Sequence, residues 1–544
     1  MTIMPEYIKA TQLPGPTALD DSEIALGASK SESVALLQTD VAGSTDASAI
    51  GFIQSGAGAL ARTVLDKLHD TLSTKDFPNV QAAVNEAIAS GRHLVIEPGT
   101  AIPQIIVSGR ISLQALGTVT PAYDGKAGSW ITLASTAADS QLVFDTIDFG
   151  GIGMMGITLA APRCNVFVRL AKNMTAQSWD VARVQGVVTS TAADNVMDVC
   201  ACDFSMGATE GAHAVPRVVT TDGGSTCNTV RVRAYRCHTV WVENGSNNIA
   251  EYIIADSCTD NAIYNLTPSD GMKCEFMQYT NGRDEPFVVE GSNAWIGKAV
   301  YDGWGMPGVQ NATNFVIDEI CLLPSPDGGP SNVALRSRDG NVQSDVRIGR
   351  ITGSHGIGIA QSYVYGSLLQ FYVGKVDLRI GSLDLKLKYH ATSAALYLVL
   401  HGQGSIAEYG DVRIAFDDTD AKPAARMLWQ FPPGARLSVR DWKLDPRSYS
   451  YLGISGVNTA NVFLPADSEL LGASILGNPD STTPAARQLF STAAPTAGTW
   501  NRGDVIHNKF PVLGAPTGWK CTASGTPGMW YVMGQTGVAK GPST

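Results

Sequence analysis

Charge is scarce in this 544-residue sequence: Asp, Glu, Lys and Arg make up only 16% of it, against about 25% in an average globular protein. What charge there is leans acidic, with a formal net of −11. The chain therefore lacks the basic face that a nucleic-acid-binding protein needs to displace phosphate counterions. No run of about 18 or more apolar residues occurs, so no membrane insertion by a spanning helix is expected. The N-terminal "MTIMPEYIKATQLPGPTALDD" has no basic patch leading into an apolar core, and no signal peptide is expected. Metal spacing is also missing. The eight histidines are scattered without an HExxH, and the nine cysteines form neither a CxxC pair nor a Cys/His quartet. No metal or other cofactor is expected. An odd cysteine count with six members between Cys200 and Cys274 fits reduced core thiols in a protein made in the cytosol.

What is present is apolar residue, turn residue and repetition. At 44% hydrophobic the chain can bury a large core, and Gly 56 and Pro 27, spread along its length, suit many short strands joined by many turns. Residues 1–50 are small and polar, enough for a hairpin but no independent core. Residues 51–100 form a joining segment. Val64, Leu65 and Leu68 share one helical face, then Asn79 caps a helix over Val80 to Ser90 with Val80, Ala83, Val84 and Ile88 apolar, and Gly91 stops it. His93 to Glu97 is expected to be a strand.

From 101 to 450 short apolar runs recur between Asp-Gly, Asn and Ser breaks. The clearest stretch runs through "CNTVRVRAYRCHTVWVENG", "SNNIAEYIIADSCTDNAIYNLTP", "SDGMKCEFMQYTNGRDEPFVVEG" and "SNAWIGKAVYDGWGMPGVQN". Each unit holds about two strands, and a period of roughly 19–24 residues belongs to stacked solenoid coils. In "TVRVRAY", Val230, Val232 and Ala234 alternate with Arg231, Arg233 and Tyr235, so one face is buried and the other wet. Glu251, Lys273, Glu275 and Lys298 are expected at comparable positions on successive coils, and Cys237 and Cys258 as small stacked interior groups. The fold expected is all-β, a parallel β-helix.

Two end segments carry a family resemblance. "GAGALARTVLDKLHDTLSTKDF" closely resembles the junction segment of bacteriophage tailspikes and capsular-polysaccharide depolymerases, and "NVQAAVNEAIASGRHLVIEPGT" resembles the helix and first strand that cap their pectate-lyase-like, right-handed parallel β-helix. "LPGPTALDDSEIAL" is similar to small particle-anchoring modules. "GTWNRGDVIHNKFPVLGAPTGWKCTASGTPGMWYVMG" resembles a small β-rich module that ends many phage tail proteins. One departure is visible: the family's Gly-Asp-Gly-x-x-Asp-Asp after the Lys-Asp-Phe junction is missing, because Phe77 runs straight into Pro78-Asn79.

The resemblance implies a virion-anchoring leader over 1–50, a linker and capping segment over 51–100, and a β-helix over 101–450. It further implies a connecting segment over 451–490 and a C-terminal β-rich module over 491–544. It also implies a homotrimer in the phage tail, held through its N-terminus by a tail, baseplate or adaptor protein, with a bacterial surface polysaccharide (capsule, exopolysaccharide or O-antigen) as substrate.

Hydrolysis of a glycan needs a carboxylic acid and a second carboxylate, about 5–5.5 Å apart for retention or about 6.5–9.5 Å for inversion. Coils stack about 4.8 Å apart, so acids one or two coils apart fall near these distances. Glu243 and Glu290 end strands that match by eye, with Asn265 between them. Asp284, Glu285 and Asp302 are further catalytic candidates, and Trp241, Asn265, Arg283, Trp295, Tyr301 and Trp304 are candidates for holding sugar. Aromatic faces stack on the apolar faces of sugars while acids bond the hydroxyls. An eliminating lyase would need a base such as His238 or Tyr279 near a cation such as Arg283. A receptor-binding fibre that does not cut, and a solenoid serving only as a spacer, are the non-enzymatic alternatives.

Overall fold

The computed structural model describes residues 51–53, 61–63, 71–122, 129–151, 155–175, 185–205, 216–282, 284–302, 307–324, 334–337, 343–357, 368–371, 375–389, 396–401, 405–416, 426–430, 436–444, 451–455, 462–463, 488–498 and 500–535. The leader, the amphipathic stretch Val64 to Leu68 and most of the connecting segment lie outside them.

Two parallel sheets run the length of the body. One has 14 strands, in unbroken chain order from Ile105–Val107 to Tyr451–Ser455. The other climbs in the same order from Thr71–Ser73 through Thr229–Tyr235, Ile249–Asp256, Lys273–Thr280 and Trp295–Tyr301 to Val462–Phe463. Successive strands alternate between the two sheets, so each coil lends one strand to each, and every strand pairs with its equivalent one coil away. This is the expected parallel β-helix.

The side-chain pattern explains the path. Thr229–Tyr235 alternates wet and buried as its sequence demands, with Val230, Val232 and Ala234 turned inward. Ladder register then stacks like on like: Val230, Ala250, Cys274 and Ile296 form one interior column, and Val232, Ile253, Met277 and Ala299 another. Cys237 and Cys258 are both fully buried, as expected. The outer charges pair differently from expectation. A register shift after Val230 puts Glu251 beside Arg231, at 2.8 Å, while Lys298 meets Glu319 at 3.5 Å.

Corners are made by residues that accept left-handed backbone. Cys227, Asn247 and Asn293 have φ of 57°, 54° and 53° at one corner, and Arg236, Ser257 and Asn281 have 51°, 56° and 53° at the other. Asn and Ser tolerate this region because their short side chains bond locally. Inside the first corner runs an amide ladder, in which the Asn195 backbone N–H donates to Asn228 Oδ1 at 2.8 Å and the Asn228 N–H to Asn248 Oδ1 at 2.9 Å.

The N-terminal end is closed by the helix Val80–Ser90, whose Val80, Ala83, Val84 and Ala87 are buried. Asn79 Oδ1 accepts from the Ala82 N–H at 2.8 Å, and Gly91, with φ +69°, ends the helix in a left-handed turn. Its Gln81 side chain completes the edge of the 14-stranded sheet. It accepts from the Ile106 N–H and donates to the Ile106 carbonyl, both at 2.9 Å. A separate four-stranded sheet, Gln488–Ser491, Val505–Asn508, Pro516–Ala523 and Met529–Gln535, has its own cluster of Trp500, Ile506 and Cys521.

Candidate active site

The expected carboxylate pair is not formed, and register is the reason. Glu243 pairs with Asn265, and Asn265 with Val289, so Glu290 falls one residue past the matching position. With a side-chain period of two, a one-residue slip exchanges inside for outside.

Glu243 points inward and is fully buried. Its carboxylate accepts hydrogen bonds from Thr221 Oγ1, from the Gly245 N–H at 2.9 Å and from Asn248 Nδ2 at 3.0 Å, tying it to the amide ladder. Burial raises its pKa above the ordinary 4.5, against the pull of those donors. Asn265 is equally enclosed, donating to Ser269 Oγ at 2.7 Å. Trp241 lies in the core with Nε1 bonded to Thr221 Oγ1 at 3.0 Å, and Tyr301 stacks in an interior column with its hydroxyl donating to the Ala334 carbonyl at 2.7 Å. Four residues expected to meet substrate are thus structural. Tyr279, an expected lyase base, is buried too, and its hydroxyl donates to the Asp260 carbonyl at 3.0 Å. Trp295 is half-buried on the other sheet and donates to Asp318 Oδ2 at 3.1 Å. Arg283 and Trp304 lie outside the described residues.

The remaining candidates gather at one corner. The turns that carry the chain from the long ladder into the 14-stranded sheet hold His238, then Asp260, then Asp284 and Glu285, then Asp302, on four successive coils. Asp260 lies two coils from Asp302. Asp260 Oδ2 is 3.1 Å from His238 Nδ1 and accepts from Thr239 Oγ1. Burial works against its charge, but the His238 and Thr239 hydrogen bonds outweigh that and hold the carboxyl below its ordinary 3.8. Asp302 behaves oppositely. It is 6% exposed, and burial, with the nearby charge of Asp256, lifts it above 3.8 although its oxygens accept from the Asn281 N–H at 2.9 and 3.0 Å. Between them Asp284 is exposed, and Glu285 is buried in an ion pair with Arg336.

Sequence reasoning passed over Asp260 and Arg217. Arg217 is the second residue of the strand Pro216–Thr221, and Asp222, Tyr264 and Asp260 act on it electrostatically. The available signals were a lone basic residue at the head of "PRVVTT" and an acid in the turn "CTDNA", one coil beyond a histidine.

A carboxyl whose pKa is raised and a second whose pKa is lowered, at one corner, are the kind of pair that acid–base cleavage of an acetal uses.

No family model matches the sequence, and no curated protein matches it. Among solved structures, a mutant of the tailspike protein of E. coli bacteriophage HK620 in complex with a pentasaccharide matches at 12% identity and a TM-score of 0.36, over 79% of this chain and 85% of that one. The HK620 tailspike protein with a pentasaccharide matches at 11% identity and a TM-score of 0.34, over 85% and 82%. Tailspike protein 3 of bacteriophage CBA120 matches at 10% identity and a TM-score of 0.25, over 90% and 74%. At these identities the likeness concerns the coiled fold and assigns no residue. In fold, the chain is similar to phage tailspike proteins.

Proposed function

We propose that the chain is a phage tailspike that binds and depolymerises a bacterial surface polysaccharide by glycosidic hydrolysis. The tailspike part of this reading is supported by the motifs at the two ends of the sequence. With it come attachment to the phage tail or an adaptor through the N-terminus, and a homotrimeric state. The enzymatic part is carried by one observation: Asp260 and Asp302 share a corner two coils apart, with pKa values displaced in opposite directions.

In this reading Asp302 is the general acid. Burial favours its protonated form, which delivers the proton to the leaving glycosidic oxygen. Asp260, ionised and fixed by His238 and Thr239, draws a proton from the water that attacks the anomeric carbon. An offset of two coils sets them at least about 9–10 Å apart along the stack, too far for a retaining pair. Asp284 is exposed on the coil between, where a sugar hydroxyl would bond.

Elimination is the second reading, favoured by His238 paired with Asp260 near Arg217. Incubating the protein with purified capsules and following both reducing ends and unsaturated-uronate absorbance tests the proposal. New reducing ends without that absorbance are expected. Unsaturated products would replace hydrolysis by elimination. Glycan binding with no cleavage of any bound polymer would leave a receptor-binding fibre.

A further inference from the structure

Arg217 has no evident structural task. Its Nε is buried without a hydrogen-bond partner, and the guanidinium makes no hydrogen bond or ion pair among the described residues. A buried donor left unmade costs on the order of 1–3 kcal/mol, more when charged, so such a group is retained where something else satisfies it.

Its acidic neighbours do not. Asp222 Oδ1 accepts from the Gly223 N–H at 2.8 Å and from Asn244 Nδ2 at 3.0 Å. Asp260 is engaged by His238 and Thr239. Both carboxylates therefore act on Arg217 through space, without a hydrogen bond or ion pair to it, each with one oxygen bonded elsewhere. Burial meanwhile pulls the guanidinium pKa down, against the upward pull of Asp222, Tyr264 and Asp260. The arrangement is a partly dehydrated cation with idle planar donors, one coil before the His238 corner.

Resting on the polysaccharide reading above, we propose that Arg217 is a subsite for the carboxylate of an acidic sugar, so that the substrate is a carboxylate-bearing polymer. A guanidinium presents paired N–H donors that match the two oxygens of a carboxylate. A neutral polymer would leave them unmet, which makes the residue selective as well as attractive.

The test uses the full chain on an array of purified bacterial capsules, some bearing uronate or pyruvate carboxylates and some neutral. Each bound acidic polymer is also supplied with its carboxyls chemically reduced to alcohols. Binding confined to acidic polymers is expected, roughly tenfold or more weaker after carboxyl reduction. R217Q should lose the same factor on the native polymer and be indifferent to reduction, while R217K should retain part of the discrimination. Matched thermal unfolding of the variants separates this from misfolding, and the reduced polymer tests the wild type without any substitution. Equal binding of native and reduced polymers, or discrimination surviving in R217Q, overturns the Arg217 assignment and leaves the glycan reading standing. Binding to no polymer at all overturns both.

Discussion

At the scale of single residues, the buried Glu243 and the two corner acids, Asp260 and Asp302, differ in what substitution will do. Glu243 has a raised pKa when folded, so its contribution to stability is fully present below about 4.5, its ordinary value, and is lost as pH rises through the folded value. At neutral pH a neutral isostere is therefore expected to be harmless. Glu243→Gln should keep the melting temperature level or raise it at pH 7 and leave cleavage within about twofold, because its amide still reaches Thr221 and Asn248. Glu243→Ala strands those donors and should cost about 2–4 kcal/mol. Loss of cleavage in a stable Glu243→Gln protein would return that residue to the chemistry. Asp260 and Asp302 should behave the other way. Either Asn variant is expected to fold, bind polymer and lose at least roughly 100-fold in cleavage rate. In the wild type the rate should rise as Asp260 ionises, below 3.8, and fall as Asp302 loses its proton, above 3.8. A rate profile flat across both limbs would remove the two carboxyls from the mechanism.

At the scale of elements, the end cap is the most exposed weakness of a solenoid, since an unpaired strand edge invites another chain to pair with it. Gln81 answers both backbone groups of Ile106 from the helix Val80–Ser90. Gln81→Ala should cost about 1–2 kcal/mol and promote concentration-dependent association, measured by light scattering during mild heating. Unchanged stability and unchanged association would show that the helix covers this edge without help from Gln81. That helix was legible from sequence because its signals are local: Asn79 before it, Gly91 after it and apolar residues at helical spacing. The coils were legible for a similar reason, since alternation in "TVRVRAY" fixes which side faces in. The candidate corner was not. Matching "VWVE" to "FVVE" assumes that equal strand ends mean equal register, and Asn265 pairs instead with Val289. Register depends on how many residues each corner consumes, and neighbouring coils differ in that number. Burial is likewise a property of the stack: nothing local distinguishes Trp241, sealed in the core, from a sugar platform.

At the scale of the whole molecule, the rigid wall matters more than any one residue. Coil lengths read from register are 20, 24, 22 and 21 residues from Thr229 to Val316. They are 31 and 33 just before, and 31 and 32 just after. The compact coils carry the His238 corner, flanked on both sides by coils with residues to spare for longer connections. From the strand of Arg217 to that of Gly308, which follows Asp302, is four coil steps, on the order of 19 Å. A polymer lying along that length contacts several coils at once, and binding energy gathered far from the scissile bond is what holds it in the geometry for reaction. Cleavage should therefore be internal, with viscosity collapsing before reducing ends accumulate. Across a series of defined oligosaccharides, kcat/KM should climb with length until the chain covers those steps and then level off. An efficiency independent of length, with mono- or disaccharides released from the first minutes, would mean that only an end of the glycan enters and that the four-coil wall plays no part in catalysis.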